Sequence, residues 1–133
     1  MADTATFVTH RGGCHCGRVR FEVDAPARIE AIECNCSICR MTGFLHLIVP
    51  AQRFRLLQGA EFLAEYTFNT GTAKHRFCRF CGVKAFYVPR SHPHGIDINV
   101  RCLEAATIAQ VAIEKFDDAD RDAATAALRH LTE

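Results

Sequence analysis

The sequence contains no hydrophobic run long enough to span a membrane, and its first ten residues, MADTATFVTH, include no apolar signal core. We therefore expect a cytoplasmic protein without a membrane partner, in a compartment where thiols stay reduced. The chain also lacks a surplus of charge. Its formal net charge is +1, and the basic residues are scattered rather than gathered in a stripe or tail. No nucleic-acid partner is expected for such a balanced chain.

Two common catalytic motifs are also absent. The sequence has no Gly-x-Ser-x-Gly nucleophile elbow and no glycine-rich phosphate loop followed by Lys and Ser or Thr. No long linker, low-complexity segment or convincing repeat divides the 133 residues, of which 49% are hydrophobic. That length and composition suit one globular domain, which we predict over residues 1–133.

Much of the chain shows the alternation of β-strands. In the segment GRVRFEV, the apolar side chains of Val19, Phe21 and Val23 share one face, and residues 61–68 and 96–102 alternate in the same way. Shorter strand candidates are residues 44–49, 54–57, 74–77 and 84–88. Several short strands joined by turns predict a mainly β fold of antiparallel sheets.

The period of the apolar residues changes only near the end of the chain. Asp118 could cap a helix there, with Ala124, Leu128 and Leu131 along one stripe. We therefore predict one short C-terminal helix after the β-strands.

Cysteine is the residue that most needs an explanation. The chain has eight, and seven of them come in short-spaced sets: Cys14 and Cys16; Cys34, Cys36 and Cys39; Cys78 and Cys81. Where thiols stay reduced, such sets indicate metal binding rather than disulfides.

Two of the sets are pairs followed by glycine. Cys78 and Cys81 form a Cys-x-x-Cys-Gly knuckle, in which Gly82 allows the positive φ that the tight turn often needs. Cys14 and Cys16 form a second close pair. Together the two pairs would give one closed tetrahedral zinc site. On spacing alone, however, Cys14 and Cys16 could instead join the set at residues 34–39.

The set at residues 34–39 supplies three thiolates, which leaves one position of a tetrahedral zinc free. Three protein ligands and an exchangeable fourth are typical of catalytic zinc. Cys102 could fill the fourth place, but it shares an apolar face with Ile96 and Ile98, so we favour a place in the core. His46 is another possible ligand, although a single histidine in a strand more often packs or hydrogen-bonds.

The cysteine sets lie in segments that resemble a known family. GGCHCGRVRFEV, CNCSICRMTGF, HRFCRFCGVKAFYVPRS and NVRCLE follow one another in the order and spacing of the glutathione-dependent formaldehyde-activating family. Within that family the chain is most similar to the centromere protein V-like branch. The resemblance extends from about residue 10 to residue 118, which is nearly the whole chain.

The resemblance implies both a fold and two zinc sites. The implied fold is a folded antiparallel sheet of the Mss4-like, β-tent type. The implied structural zinc uses Cys14, Cys16, Cys78 and Cys81. The implied second, catalytic zinc uses Cys34, Cys36 and Cys39, with water or a glutathione thiol in the fourth place.

The resemblance also implies an activity, that of a carbon–sulfur lyase. The family's named reaction joins glutathione to formaldehyde and gives S-(hydroxymethyl)glutathione, so the expected partners are a small thiol and a small aldehyde. Because a thiolate would add negative charge to the second site, nearby cations should help, and Arg40 and Lys74 are candidates. Lys74 is the weaker, since a solvated surface charge is its simplest explanation. The alternative function is a non-catalytic zinc-binding β-tent module for protein interaction.

Overall fold

The computed structural model describes residues 6–68, 71–89, 92, 94–117 and 131. Within these residues the secondary structure is almost entirely β, with one short α-helix and several 3-10 turns. The strands are β1 (Val8–Gly13), β2 (Arg20–Ala25), β3 (Arg28–Cys34), β4 (Leu45–Pro50), β5 (Phe54–Gln58), β6 (Leu63–Tyr66), β7 (His75–Cys78), β8 (Phe86–Tyr87), β9 (Gly95–Asn99) and β10 (Gln110–Phe116). The helix, α1, spans Ser37–Thr42.

The strands form three sheets. One has the order β10-β3-β4-β9-β8, the second has the order β1-β2-β5, and the third is the β6-β7 pair. Every strand pair is antiparallel except β3 with β10, which is parallel. The predicted mainly β, antiparallel fold class is therefore confirmed, and the parallel pair is an addition that the sequence did not predict.

The core lies where the three sheets meet. In β2 the alternation predicted from the sequence holds, because Phe21 and Val23 are fully buried while their neighbours are partly exposed. The ring of Phe21 packs against Phe54 of β5 and Phe86 of β8, with centroids 5.3 and 5.8 Å away. Aromatic contacts of this kind connect the three-stranded sheet to the five-stranded one.

Two predicted strands are shorter than expected. In the segment 61–68 only β6 is extended, and residues 60–62 before it form a 3-10 turn. In the segment 96–102, β9 ends at Asn99, and a 3-10 turn follows at Val100–Cys102. Asp97 and Asn99, on the face predicted to be solvated, are buried. The reason is that β9 is an interior strand, with β4 on one side and β8 on the other.

The helix α1 is too short for its apolar period to be visible in the sequence. Its end is set by Gly43, which adopts φ 68° and donates its N–H to the carbonyl of Cys39. The predicted C-terminal helix after Asp118 lies outside the described residues. Among the residues that are described, no helix is long and apolar enough to cross a membrane.

Candidate metal centres

Four cysteines from two distant parts of the chain meet at one point. We call Cys14, Cys16, Cys78 and Cys81 the four-cysteine cluster; their sulfur atoms all lie within 4.8 Å of one another. The Sγ atoms of Cys14 and Cys16 are 3.6 Å apart, and those of Cys16 and Cys78 are 3.7 Å apart. Sulfurs at about 2.3 Å from a tetrahedral zinc are roughly 3.8 Å apart, so this donor set fits zinc.

Backbone turns hold the four-cysteine cluster in place. Gly82 has φ 77°, as its position in the knuckle predicts, and donates its N–H to the carbonyl of Cys78. Backbone N–H groups also point at the sulfurs, from Val19 to Cys14 at 3.3 Å and from Phe80 to Cys78 at 3.4 Å. These hydrogen bonds fix the positions of the two sulfurs.

A second group of three sulfurs lies at the junction of β3 and α1. We call Cys34, Cys36 and Cys39 the three-cysteine cluster; their sulfur atoms also lie within 4.8 Å of one another. Cys34 ends β3, Cys36 precedes the first residue of α1, and Cys39 is buried within the helix. The short helix therefore brings the third sulfur back to the first two, and the backbone N–H of Cys36 donates to Cys34 Sγ at 3.5 Å.

The three thiols oppose one another's ionisation. Hydrogen bonds from Cys34 and then Cys39 lower the pKa of Cys36 to about 2. Hydrogen bonds with Cys34 and then Cys36, together with burial, raise the pKa of Cys39. One negative charge is thus easily accommodated, and further charges are not. A divalent cation among the sulfurs removes this repulsion, so the donor chemistry suits a soft metal such as zinc.

The three-cysteine cluster faces a cavity of about 470 Å³. Cys34 and Cys39 form part of its wall, and none of the four-cysteine cluster does. The other lining residues are Glu33, Asn35, Arg40, Gly43, Phe44, Leu45, Arg101, Lys115, Phe116 and Asp117. A cavity of this size is in the range of small-molecule sites, and it makes the three-cysteine cluster accessible to a ligand.

Three cations and two carboxylates surround the cavity. Arg40, the candidate from the sequence, is exposed at its wall, and Arg101 and Lys115 are two further cations. Glu33 and Asp117 supply the negative charges. Lys74, by contrast, does not line this cavity; its ammonium donates to the carbonyl of Gly71 at 2.8 Å.

His46 is a buried neighbour of Cys39. Its Nε2 is 3.1 Å from Cys39 Sγ, and its Nδ1 is 2.6 Å from Asp97 Oδ2. Both His46 and Asp97 are buried. The ring nitrogens of His46 do not lie within 4.8 Å of all three sulfurs of the cluster. The structure therefore places His46 as a hydrogen-bond partner of Cys39 rather than as a fourth ligand.

Cys102 belongs to neither cluster. It packs against the core, and its Sγ is 4.0 Å from the carbonyl of Lys84. Burial raises the pKa of the Cys102 thiol to about 11, and the negative charges of Cys14 and Cys81 add to the rise. The expectation that Cys102 is a core residue therefore agrees with the structure.

Sequence reasoning missed three buried polar residues. They are Asp97, which holds His46, and the pair Lys84 and His75, whose Nζ and Nδ1 atoms are 2.7 Å apart. For Asp97, the alternation of its strand predicted exposure to water. Its burial depends on the sheet order, because β9 is an interior strand.

Comparison with known proteins decides the family. A sequence model of the glutathione-dependent formaldehyde-activating enzyme family matches residues 9–118. The chain belongs to this family. The match extends over both cysteine clusters and the cavity, whereas the centromere protein V-like branch stays a prediction.

Two relatives show how far the family likeness extends. A Halomonas elongata protein named as a putative glutathione-dependent formaldehyde-activating enzyme is 35% identical over 78 residues, which are 53% of this chain and 50% of that protein. The chain thus aligns with about half the length of this curated relative. A Rhodobacter sphaeroides protein of known crystal structure is 36% identical in sequence to this chain. The two structures align with a TM-score of 0.66 over 78% of this chain and 99% of the other.

Proposed function

We propose that this member of the glutathione-dependent formaldehyde-activating family is a zinc-dependent enzyme of the carbon–sulfur lyase type. It adds glutathione, or a related thiol, to formaldehyde or another small aldehyde. The observation that supports this best is the difference between the two clusters. One has four sulfurs and a complete tetrahedral set, whereas the other has three and forms part of the wall of a cavity.

The reaction itself needs little beyond a positioned thiolate. The thiol sulfur forms a bond to the carbonyl carbon, the C=O π bond breaks, and the thiol proton ends on the new hydroxyl oxygen. A zinc ion held by the three-cysteine cluster would supply a soft Lewis acid that keeps the substrate sulfur ionised at neutral pH. The protein's part is to hold that sulfur near the aldehyde.

The charges of the cavity wall suit a peptide thiol. Arg40, Arg101 and Lys115 can bind carboxylates, and Glu33 or Asp117 can bind an ammonium group. Glutathione carries two carboxylates, one ammonium and one thiol. Phe44 and Leu45 also line the cavity and add apolar residues to its wall. Arg101 is fixed in this wall, since its Nε donates to the carbonyl of Gly43 at 3.1 Å.

The zinc-loaded protein should accelerate adduct formation between ¹³C-formaldehyde and glutathione, as measured by exchange NMR against the uncatalysed rate. The Cys36→Ser variant should lose the acceleration, because the two remaining sulfurs of the three-cysteine cluster are too few to hold the metal. Cys102→Ser is the matched control, since Cys102 lies outside both clusters, and it should keep the acceleration. A fully loaded wild-type protein that leaves the rate unchanged would contradict the proposal and favour the non-catalytic zinc module.

A further inference from the structure

Lys84 is a buried cation with unusual partners. Its side chain lies in the interior, 7% of the residue being exposed. The Nζ atom is 2.7 Å from His75 Nδ1, 3.9 Å from the centroid of the Tyr87 ring and 5.0 Å from that of Phe44. Among the described residues, no carboxylate lies within 4.0 Å of this ammonium.

The position of Lys84 is fixed by the fold. Its carbonyl accepts a hydrogen bond from Asn99 Nδ2 at 3.1 Å, and Asn99 Oδ1 in turn accepts from the backbone N–H of Leu45 and of Arg101. At the other end, His75 is stacked on Tyr87, with ring centroids 4.8 Å apart. Hydrogen bonds therefore fix both the backbone and the ammonium group of Lys84.

His75 is suited to accept a hydrogen bond from the ammonium of Lys84. Burial and the charge of Lys84 lower the pKa of His75 to about 4, so the ring is neutral at pH 7 and its Nδ1 can accept a hydrogen bond. Even so, a neutral acceptor and two aromatic rings only partly offset the cost of burying an ammonium group. A nearby negative charge is needed to explain why lysine stands here.

The three-cysteine cluster supplies that charge. The ammonium of Lys84 is 5.0 Å from the centroid of the Phe44 ring, which is 4.7 Å from the ring of His46. His46 in turn has its Nε2 3.1 Å from Cys39 Sγ. Burial lowers the pKa of Lys84 to about 8, and the negative charges of Cys39, Asp97 and Cys36 oppose this fall. Of these three, Asp97 is already bound to His46. The cations at the cavity wall, Arg40, Arg101 and Lys115, are exposed to solvent, whereas Lys84 is buried.

We propose that Lys84 is a positioning residue of the three-cysteine cluster, whose fixed positive charge makes the site prefer a thiolate over a neutral fourth ligand. This assignment rests on the proposed function, in which a substrate thiolate joins the metal. Three thiolates on a divalent ion carry a net charge of about −1, and a fourth brings it to about −2. A buried cation stabilises that additional negative charge, whereas it does nothing for a neutral ligand.

The test measures ligand preference rather than turnover. The full chain is loaded with Co²⁺, and glutathione and imidazole are titrated separately while the visible spectrum of the metal is followed. In Lys84→Met, the dissociation constant for glutathione should rise about tenfold, whereas that for imidazole should stay within about twofold. Lys84→Gln, which keeps a polar group for His75, is the second variant if Lys84→Met does not fold.

Lys74→Met is the matched control, because it removes the same charge from a lysine whose ammonium binds the Gly71 carbonyl instead. It should leave both constants unchanged. An unchanged affinity for glutathione in the Lys84 variants, or an equal loss for both ligands, overturns the assignment, since equal loss is what a purely structural role produces. A wild-type protein that binds no thiolate at cobalt overturns it as well.

The proposed function fails in a different way. If wild-type protein binds glutathione at cobalt and the Lys84 variants weaken it selectively, but the zinc form does not accelerate adduct formation, the assignment of Lys84 stands and the enzyme activity does not. The two readouts are independent because the first is an equilibrium measured without formaldehyde.

Discussion

At the scale of single residues, hydrogen bonds behind the cavity wall orient the sulfur of Cys39. Asp97 holds one nitrogen of the His46 ring, and the other nitrogen contacts Cys39 Sγ. The three groups are almost fully shielded from water, so their interactions are not screened by solvent. Outer partners of this kind commonly tune how tightly a metal is held.

Replacing Asp97→Asn should weaken metal binding at the three-cysteine cluster about tenfold, because the amide removes the charge that fixes the His46 ring. The measurement is competition for Zn²⁺ with a chromophoric chelator, which resolves a weaker and a tighter site.

Asp24→Asn is the control for that measurement, since it removes a carboxylate bound to Arg55 on the exposed face of β2. The tighter site, assigned to the four-cysteine cluster, should not change in either variant. An Asp97→Asn protein with wild-type zinc affinity at both sites would show that the contact with His46 has no influence on the metal.

At the scale of secondary-structure elements, the helix α1 and its end determine the shape of the three-cysteine cluster. The helix α1 has six residues, and isolated helices of that length are not stable in water. The turn depends on Gly43, whose φ of 68° lies in the left-handed region, and on the two hydrogen bonds that the N–H groups of Gly43 and Phe44 donate to the carbonyl of Cys39. A metal bound by the three sulfurs would further stabilise α1.

Gly43→Ala should destabilise the protein by about 1–2 kcal/mol, because a side chain at positive φ is strained. A Cβ at this position meets nothing within 4 Å, so steric contact adds no further cost. Differential scanning calorimetry of the zinc-loaded variant should show a lower midpoint of thermal unfolding than that of the wild type.

Gly43→Asn separates strain from other effects of the substitution, because asparagine tolerates the left-handed region better than alanine does. Its midpoint should lie between those of Gly43→Ala and the wild type. If the two variants lose the same stability, the conformation of residue 43 is not what matters.

At the scale of the whole molecule, the two cysteine clusters have different places in the sheets. The four-cysteine cluster joins the turn between β1 and β2 to the end of β7 and the residues after it, and so connects the three-stranded sheet to the two-stranded one. Its ligand sulfurs are contributed from residues 14 to 81. The three-cysteine cluster is local, within residues 34 to 39 of one connection.

Loss of the four-cysteine cluster should therefore unfold the protein, whereas loss of the three-cysteine cluster should not. Cys78→Ser is expected to abolish the cooperative thermal transition in circular dichroism, because structural zinc contributes on the order of 10 kcal/mol. Cys36→Ser should keep the transition, with a modest decrease in midpoint, and bind about one zinc fewer per chain by metal analysis.

Chelator titration of the wild-type protein gives an independent check of the same difference. The first zinc removed should leave the far-ultraviolet spectrum unchanged, and removal of the second should unfold the chain. A Cys78→Ser protein as stable as Cys36→Ser would contradict the structural role of the four-cysteine cluster.

The sequence by itself determined the features that are local in the chain. The short spacing within each cysteine set fixes which sulfurs can lie close together, and the alternation in β2 fixes which of its side chains face the core. Gly82 after the knuckle indicated the positive φ that the structure shows. The family followed from the same motifs, because their order and spacing are distinctive.

Only the tertiary structure decided which cysteine sets join, the parallel pairing of β3 with β10, and the cavity beside the three-cysteine cluster. It also buried Asp97, although the alternation of its strand predicted a polar residue toward water, and it buried Lys84 before β8. The physical reason is that these features depend on contacts between residues far apart in the chain. The burial of both faces of an interior strand, and the charge that a buried lysine faces, are set by which strands become neighbours.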